Sequence, residues 1–284
     1  MTNVARPLRS VLYIPGSKDR ALDKARDLPA DAIIFDLEDA VAPDEKVAAR
    51  KTLQTALTAG GYGDRLRLVR VNGLDTEWCA EDVAAFRDAD IDGILLPKVN
   101  GAADVEAVAS LAPGMAIWAM METARGIWNA LEIADHPAMA GFILGTNDLV
   151  KELGAQVDPA RDSIAASLQM ALMAARAAGI ACVDGVYNAF KDDAGLQNEC
   201  EHGRALGMDG KTLIHPAQLE IANRVFAPDA AAVDLAKRQI AAYQEAVAQG
   251  RGVAVVDGKI VENLHVVTAR TILDKAAAIA AKEG

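Results

Sequence analysis

Two apolar runs in this sequence stop abruptly on carboxylates. Ala116–Met121 gives way to Glu122, Thr123, Arg125 and Gly126, and Phe142–Leu144 gives way to Gly145, Thr146, Asn147 and Asp148. A continuous apolar run is what a strand buried on both faces requires. A carboxylate at its end then points at whatever lies beyond the strand. If the two strands are neighbours, their backbones run about 4.8 Å apart, and Glu122 and Asp148 can converge on one ion. Two carboxylates with space left for water and substrate oxygens suit Mg²⁺, which takes few protein ligands and keeps several waters. No His or Cys spacing argues for zinc. The competing reading is that each acid caps the helix after it or pairs with an arginine.

Other run ends carry further chemistry. In LVRVNG the alternation of a strand turns Arg70 and Asn72 to one side and Val69 and Val71 to the other. An arginine aimed into a cavity can clamp a carboxylate through two parallel hydrogen bonds. An ion pair with Asp36 or Glu38 competes with that role, and the two can coexist. FDLED contributes Asp36, Glu38 and Asp39, acids placed to orient basic side chains or to reach a metal through water. Lys18 and Arg20 follow PGS at a turn feeding a helix. That arrangement suits a phosphate, and a solvated first turn explains it as well. Lys98, Asp184 and His215 also stand at run ends. His215 reads as a packed residue rather than a base, and Met120 and Met121 read as core.

The elements that must position these groups repeat eight times. Apolar runs rich in Val, Ile and Leu occupy 10–16, 32–39, 66–73, 93–99, 115–123, 141–148, 180–187 and 211–216, with amphipathic helical segments between them. This is the pattern of a (β/α)₈ TIM barrel over 1–228, whose C-terminal strand ends line the active site. A doubly wound open sheet is the alternative, and the absence of GxGxxG after the first run counts against it. Residues 229–284 read as a long helix, a hairpin about Asp257–Gly258 and a final helix. They are too few for a core of their own and form a small lid or arm, packed on this barrel or a neighbouring subunit.

Composition narrows the classes further. A net charge of −11 excludes the basic footprint of a nucleic-acid binder. No run reaches the roughly 18 apolar residues of a membrane helix, and MTNVARPLRS has no signal-peptide core. The three cysteines form no CxxC pair, which predicts free thiols and a cytoplasmic protein.

RSVLYIPGSKDRALDKA, AIIFDLEDAVAPDEKVAAR, LVRVNG, GILLPKV, METARG, GTNDL and KTLIHPAQ occur in the same order as in the citrate lyase β-subunit family. That family includes the malyl-CoA lyases and the wider citrate-lyase-like aldolases, and the resemblance covers nearly the whole chain. It implies a TIM barrel with a C-terminal lid, a Mg²⁺ cofactor, a CoA-thioester substrate and a homotrimer, with other lyase subunits as further partners. It implies Glu122 and Asp148 as metal ligands, Arg70 as catalytic and substrate-binding, and Lys18 and Arg20 in the CoA contact. The implied reaction is carbon–carbon cleavage of a citryl- or malyl-type thioester to an acetyl thioester and a 2-oxo acid such as oxaloacetate. The tail departs from the pattern. Where family lyases read DGKMID, this chain reads DGKIVE, so Glu262 replaces a catalytic Asp. With that change, hydrolysis of a malyl-CoA-type thioester is an alternative reaction, and a non-catalytic subunit is another.

Overall fold

The structure is a computed structural model that describes residues 6–156 and 158–283. Eight strands form a closed, all-parallel barrel in chain order. They are β1 (Ser10–Pro15), β2 (Ala32–Asp36), β3 (Leu66–Arg70), β4 (Gly93–Leu96), β5 (Ile117–Met121), β6 (Met139–Leu144), β7 (Ala181–Asp184) and β8 (Gly210–Leu213). Closure decides between the two topologies expected from the sequence. β8 pairs with β1 in parallel, Ser10 opposite Lys211 and Leu12 opposite Leu213, so no edge strand is left.

Alternation along each strand builds two apolar layers. Val11, Ile34, Leu68, Leu95, Trp118, Ile143 and Val183 fill the barrel interior. Leu12, Ile33, Phe35, Val69 and Ile94 face outward and pack into the larger cluster that includes helix residues such as Leu22, Leu53, Val83 and Leu168. The interior narrows around Trp118. A Cβ on Gly141 would sit 2.4 Å from its ring, so the bare backbone of β6 is what admits an indole there.

Charged groups inside the barrel wall are paired, as burial demands. Lys211 is fully buried. Its Nζ donates to Glu199 Oε1 at 2.6 Å, to the Gly185 carbonyl at 2.6 Å and to Asp184 Oδ2 at 3.1 Å. Arg161 donates to the same Asp184 carboxylate at 2.7 Å. Burial pushes the Asp184 carboxyl up, but Lys211 and Arg161 outweigh it and hold the group below its usual range. The three cysteines are buried and free, matching the expected thiols.

The chain divides into two units, one of which is Leu8–Phe226. The other consists of Arg6, Pro7 and the chain from Ala227 onward. In it, helix Ala230–Ala248 is capped by Asp229, whose carboxylate accepts from the Ala232 N–H at 2.7 Å. Strands β9 (Ala254–Val256) and β10 (Lys259–Val261) form an antiparallel hairpin, followed by helix Asn263–Glu283. Both turn residues, Asp257 and Gly258, have positive φ, the conformation that matches the twist of a two-residue hairpin. Among the described residues no helix is long and apolar enough to cross a membrane.

Substituting Gly141→Ala should lower unfolding stability by about 1–3 kcal/mol through overpacking against Trp118. In chemical denaturation the double variant Gly141→Ala/Trp118→Leu should lose less than the two single losses added together. Additive losses would show that the two residues do not share one space.

Candidate active site

The carboxylates that end β5 and β6 meet at one mouth. Met121 pairs with Leu144 in register, so the residues that follow, Glu122 and Gly145, lie side by side. A Cβ on Gly145 would fall 2.3 Å from Glu122 Oε2; the missing side chain gives the Glu122 carboxylate its place. Asp148 comes three residues later, in the first turn of helix Thr146–Glu152. Neither acid caps a following helix by its side chain. Thr123 caps helix Ala124–Trp128 instead, its hydroxyl accepting from the Gly126 N–H at 2.9 Å.

Two cavities open at this mouth. One, of about 600 Å³, is lined by Leu74, Pro97, Lys98, Asn100 and Lys151 among others. The other, of about 340 Å³, is lined by Tyr13, Arg70, Met120, Asn147 and Asn188 among others. Glu122 and Asp148 are the two residues that line both, so the carboxylate pair forms the partition between them. Burial pushes the Glu122 carboxyl up to about 7, opposed by the Lys98 N–H and reinforced by the charges of Glu38 and Asp148. A buried acid raised by desolvation and by like charge is a group that a cation would relieve. Among the described residues no group of three or more His, Cys, Asp or Glu could hold a metal ion by itself. The donor set therefore fits a hard ion that fills its shell with water and substrate oxygens, and it does not fit zinc.

Arg70 stands at the floor of the smaller cavity. Its Nε and Nη2 donate to Asp36 Oδ1 and Oδ2 at 2.7 and 2.6 Å. This revises the expectation of a two-pronged clamp on substrate, because the guanidinium fork is already filled by Asp36. Nη1 is held less tightly, donating to Asp39 Oδ2 at 3.4 Å and lying 2.8 Å from Glu38 Oε2. The Glu38 contact is an ion pair without hydrogen-bond alignment, since Oε2 is buried with no hydrogen-bond partner. Tyr13 packs its ring 5.0 Å beneath the guanidinium and donates its hydroxyl to Met120 Sδ at 3.3 Å. Burial raises the Glu38 carboxyl against the pull of Arg70 and Lys98.

The other expected residues are dispersed. Lys18 and Arg20 lie at the start of helix Asp19–Ala25 and are exposed. Lys18 is 3.7 Å from Glu45, and neither residue lines the two cavities. Asn72 turns to a helix, its Nδ2 donating to Asp82 Oδ2 at 2.6 Å. His215 is exposed, stacks on Phe190 and accepts the Ala217 N–H on Nδ1, so it caps the turn after β8 and is not the packed residue expected. Glu262 belongs to the C-terminal unit, where its N–H donates to His265 Nδ1 at 2.9 Å. Sequence reasoning missed the reciprocal amide pair of Asn147 and Asn188, which exchange hydrogen bonds of 3.2 and 2.8 Å at the rim of the smaller cavity. Asn147 sits within a motif, but nothing in VYN singles out Asn188.

Residues 9–216 match the family model described as HpcH/HpaI aldolase/citrate lyase. A (3S)-malyl-CoA thioesterase of Cereibacter sphaeroides is 64% identical over 281 residues, 99% of this chain and 99% of the relative. Citrate lyase subunit beta of Escherichia coli is 36% identical over 283 residues, 95% of this chain and 94% of the relative. Among solved structures, the protein CitE of Mycobacterium tuberculosis in complex with magnesium, acetoacetate and coenzyme A is similar with a TM-score of 0.79 and 31% identity. That match covers 96% of this chain and 98% of CitE. The chain belongs to the HpcH/HpaI aldolase/citrate lyase family.

Proposed function

We propose that this protein is a magnesium-dependent hydrolase of a malyl-CoA-type thioester. The observation that carries the reading is the 64% identity to a (3S)-malyl-CoA thioesterase across 99% of both chains. The carbon–carbon lyase implied by the sequence motifs becomes the second reading, supported by the family and by the 36% identity to a citrate lyase β subunit. The two reactions begin from the same bound thioester, so one site serves either.

The residues present fit magnesium. Glu122 and Asp148 would hold it at the partition between the cavities; a neighbour of this fold is complexed with magnesium. Bound there, the ion would supply Lewis-acid polarisation and an anchor for a substrate's oxygens. Arg70, oriented by Asp36 and backed by the Tyr13 ring, offers Nη1 as a charge-assisted donor to the acyl carboxylate. The low-dielectric floor beneath it strengthens that contact. In hydrolysis a water oxygen bonds to the thioester carbon, the carbon–sulfur bond breaks, and a proton passes to the departing thiolate. In lyase chemistry the carbon–carbon bond breaks instead, and the thioester remains. Glu262 is assigned one proton step on its sequence position alone.

Purified protein incubated with (3S)-malyl-CoA and Mg²⁺ should release free CoA and malate. Release of acetyl-CoA and a 2-oxo acid would establish the lyase reading. No turnover of citryl-, malyl- or citramalyl-CoA by the isolated chain would favour the non-catalytic subunit. Glu262→Gln should reduce kcat at least tenfold with Mg²⁺ binding intact, and Glu262→Asp should retain activity. Full activity of Glu262→Gln would move the proton step elsewhere.

The Glu122 carboxyl gives a pH dependence with a defined sign. Its pKa in the fold, about 7, lies above the ordinary glutamate value of about 4.3, so the folded protein binds this proton more tightly than the unfolded chain. The group penalises the metal-free fold above pH 7, and the penalty is lifted as pH falls toward about 4.3. Mg²⁺ competes with the same proton, so Mg²⁺ affinity should rise with pH up to about 7 and then level. Denaturation of metal-free wild type and Glu122→Gln across pH 5–8 checks this. The wild type should gain stability relative to the variant as pH falls, and a constant difference would remove Glu122 as the titrating group.

A further inference from the structure

Lys98 is the residue in this site whose backbone does not suit its side chain. It is the second residue of the loop after β4 and has φ 54, a left-handed conformation that non-glycine residues adopt rarely. Such conformations persist where the surroundings hold them and where function gains from them. Here the surroundings are specific. Asn100 Nδ2 donates to the Lys98 carbonyl at 2.9 Å, and the Thr123 hydroxyl donates to Asn100 Oδ1 at 2.9 Å. The loop is thus tied to the residue next to Glu122.

Each end of Lys98 meets a different half of the site. Its backbone N–H donates to Glu122 Oε1 at 2.8 Å. Its Nζ donates to Glu38 Oε1 at 2.8 Å, and the other oxygen of Glu38 lies 2.8 Å from Arg70 Nη1. A glycine would adopt this backbone freely and keep the first contact. It would lose the second. The presence of a lysine in a conformation that favours glycine therefore points to a use for the ammonium group as well as for the N–H.

We propose that Lys98 is a positioning residue that joins the two halves of the site: its left-handed backbone aims the N–H that sets the Glu122 carboxylate, and its ammonium takes one oxygen of Glu38 and so shares that carboxylate's charge with Arg70. The inference rests on the reading of Glu122 and Asp148 as metal ligands and of Arg70 as the carboxylate binder. Without the ammonium, Glu38 loses one of the two cations on its carboxylate, and its charge falls on Arg70 Nη1, the donor assigned to substrate. Without the left-handed backbone, the N–H swings away from Glu122, and an orienting contact of a metal ligand is lost.

The two roles separate under two probes, neither of which needs turnover. Mn²⁺ binding, followed by electron paramagnetic resonance, reports on Glu122, and malate binding by calorimetry in saturating Mn²⁺ reports on Arg70. Lys98→Gly should keep Mn²⁺ affinity within about twofold of wild type and weaken malate about tenfold. Lys98→Val, whose branched side chain resists positive φ, should weaken Mn²⁺ about tenfold as well. Lys98→Ala serves if the valine variant does not fold, and should weaken Mn²⁺ to a smaller degree. Unchanged malate affinity in Lys98→Gly overturns the ammonium role. Equal Mn²⁺ affinity in the glycine and the valine or alanine variants overturns the backbone role. Wild-type protein that binds no Mn²⁺, or binds it undiminished after Glu122→Gln, refutes the metal reading and this inference with it. That result is distinct from a wild type that binds both probes while the Lys98 variants behave like it.

Discussion

The pairing of β8 with β1 is the constraint from which the site follows. Closure in parallel brings every strand's C-terminal end to one rim, so groups far apart in sequence share a mouth without any long-range design beyond strand order. Asp36, Arg70, Lys98, Glu122 and Asp148 come from five consecutive strand–loop junctions. The rim also sets their spacing. Adjacent ends lie side by side, so the pairs that interact are neighbours in the barrel, as with Asp36 and Arg70, or Glu122 and the GTND turn.

The rim is electrostatically graded. Asp36 fixes Arg70 on its fork, Glu38 stands between Arg70 and Lys98, and Glu122 is raised by burial. On the opposite side of the barrel Asp184 is answered fully by Lys211 and Arg161. One set of charges is balanced internally and is structural. The other is left with excess negative charge facing cavities, which is the state expected of a place that receives a cation.

Much of this was legible in the sequence because parallel barrel strands are continuous apolar runs and their ends are marked by abrupt polarity. Each of the eight strands overlaps one of the eight runs, β6 and β8 beginning two residues and one residue before theirs, and Glu122 and Asp148 were singled out by asking what stands after the runs. Two things were not legible, and a third was legible but missed. The use of Arg70's fork by Asp36 depends on which side-chain rotamers meet, and the sequence offered a substrate carboxylate, with Asp36 or Glu38 as competing or coexisting partners. The left-handed backbone of Lys98 has no residue signature, since lysine does not announce positive φ as Asn or Gly does. The buried Lys211 within an otherwise apolar run carried a signal that went unread. A lysine inside a buried strand must find carboxylates, and Asp184 at the end of the neighbouring strand is one of them.

The hairpin of the C-terminal unit bears on how such a tail can change over time. Asp257 and Gly258 form a two-residue turn, and Lys259, Ile260 and Val261 pair with Val256, Val255 and Ala254. Val261 is buried within a small cluster with Ala246, Ala254 and Val266. Side chains on a strand alternate faces, so adding or removing one residue in the turn would reverse the phase of everything after it. Val261 would leave its cluster, and Glu262 would inherit the opposite face. Exchanging one acid for another at 262 leaves that phase untouched. The segment is therefore open to exchange of the side chain at 262 while the length of its turn is fixed.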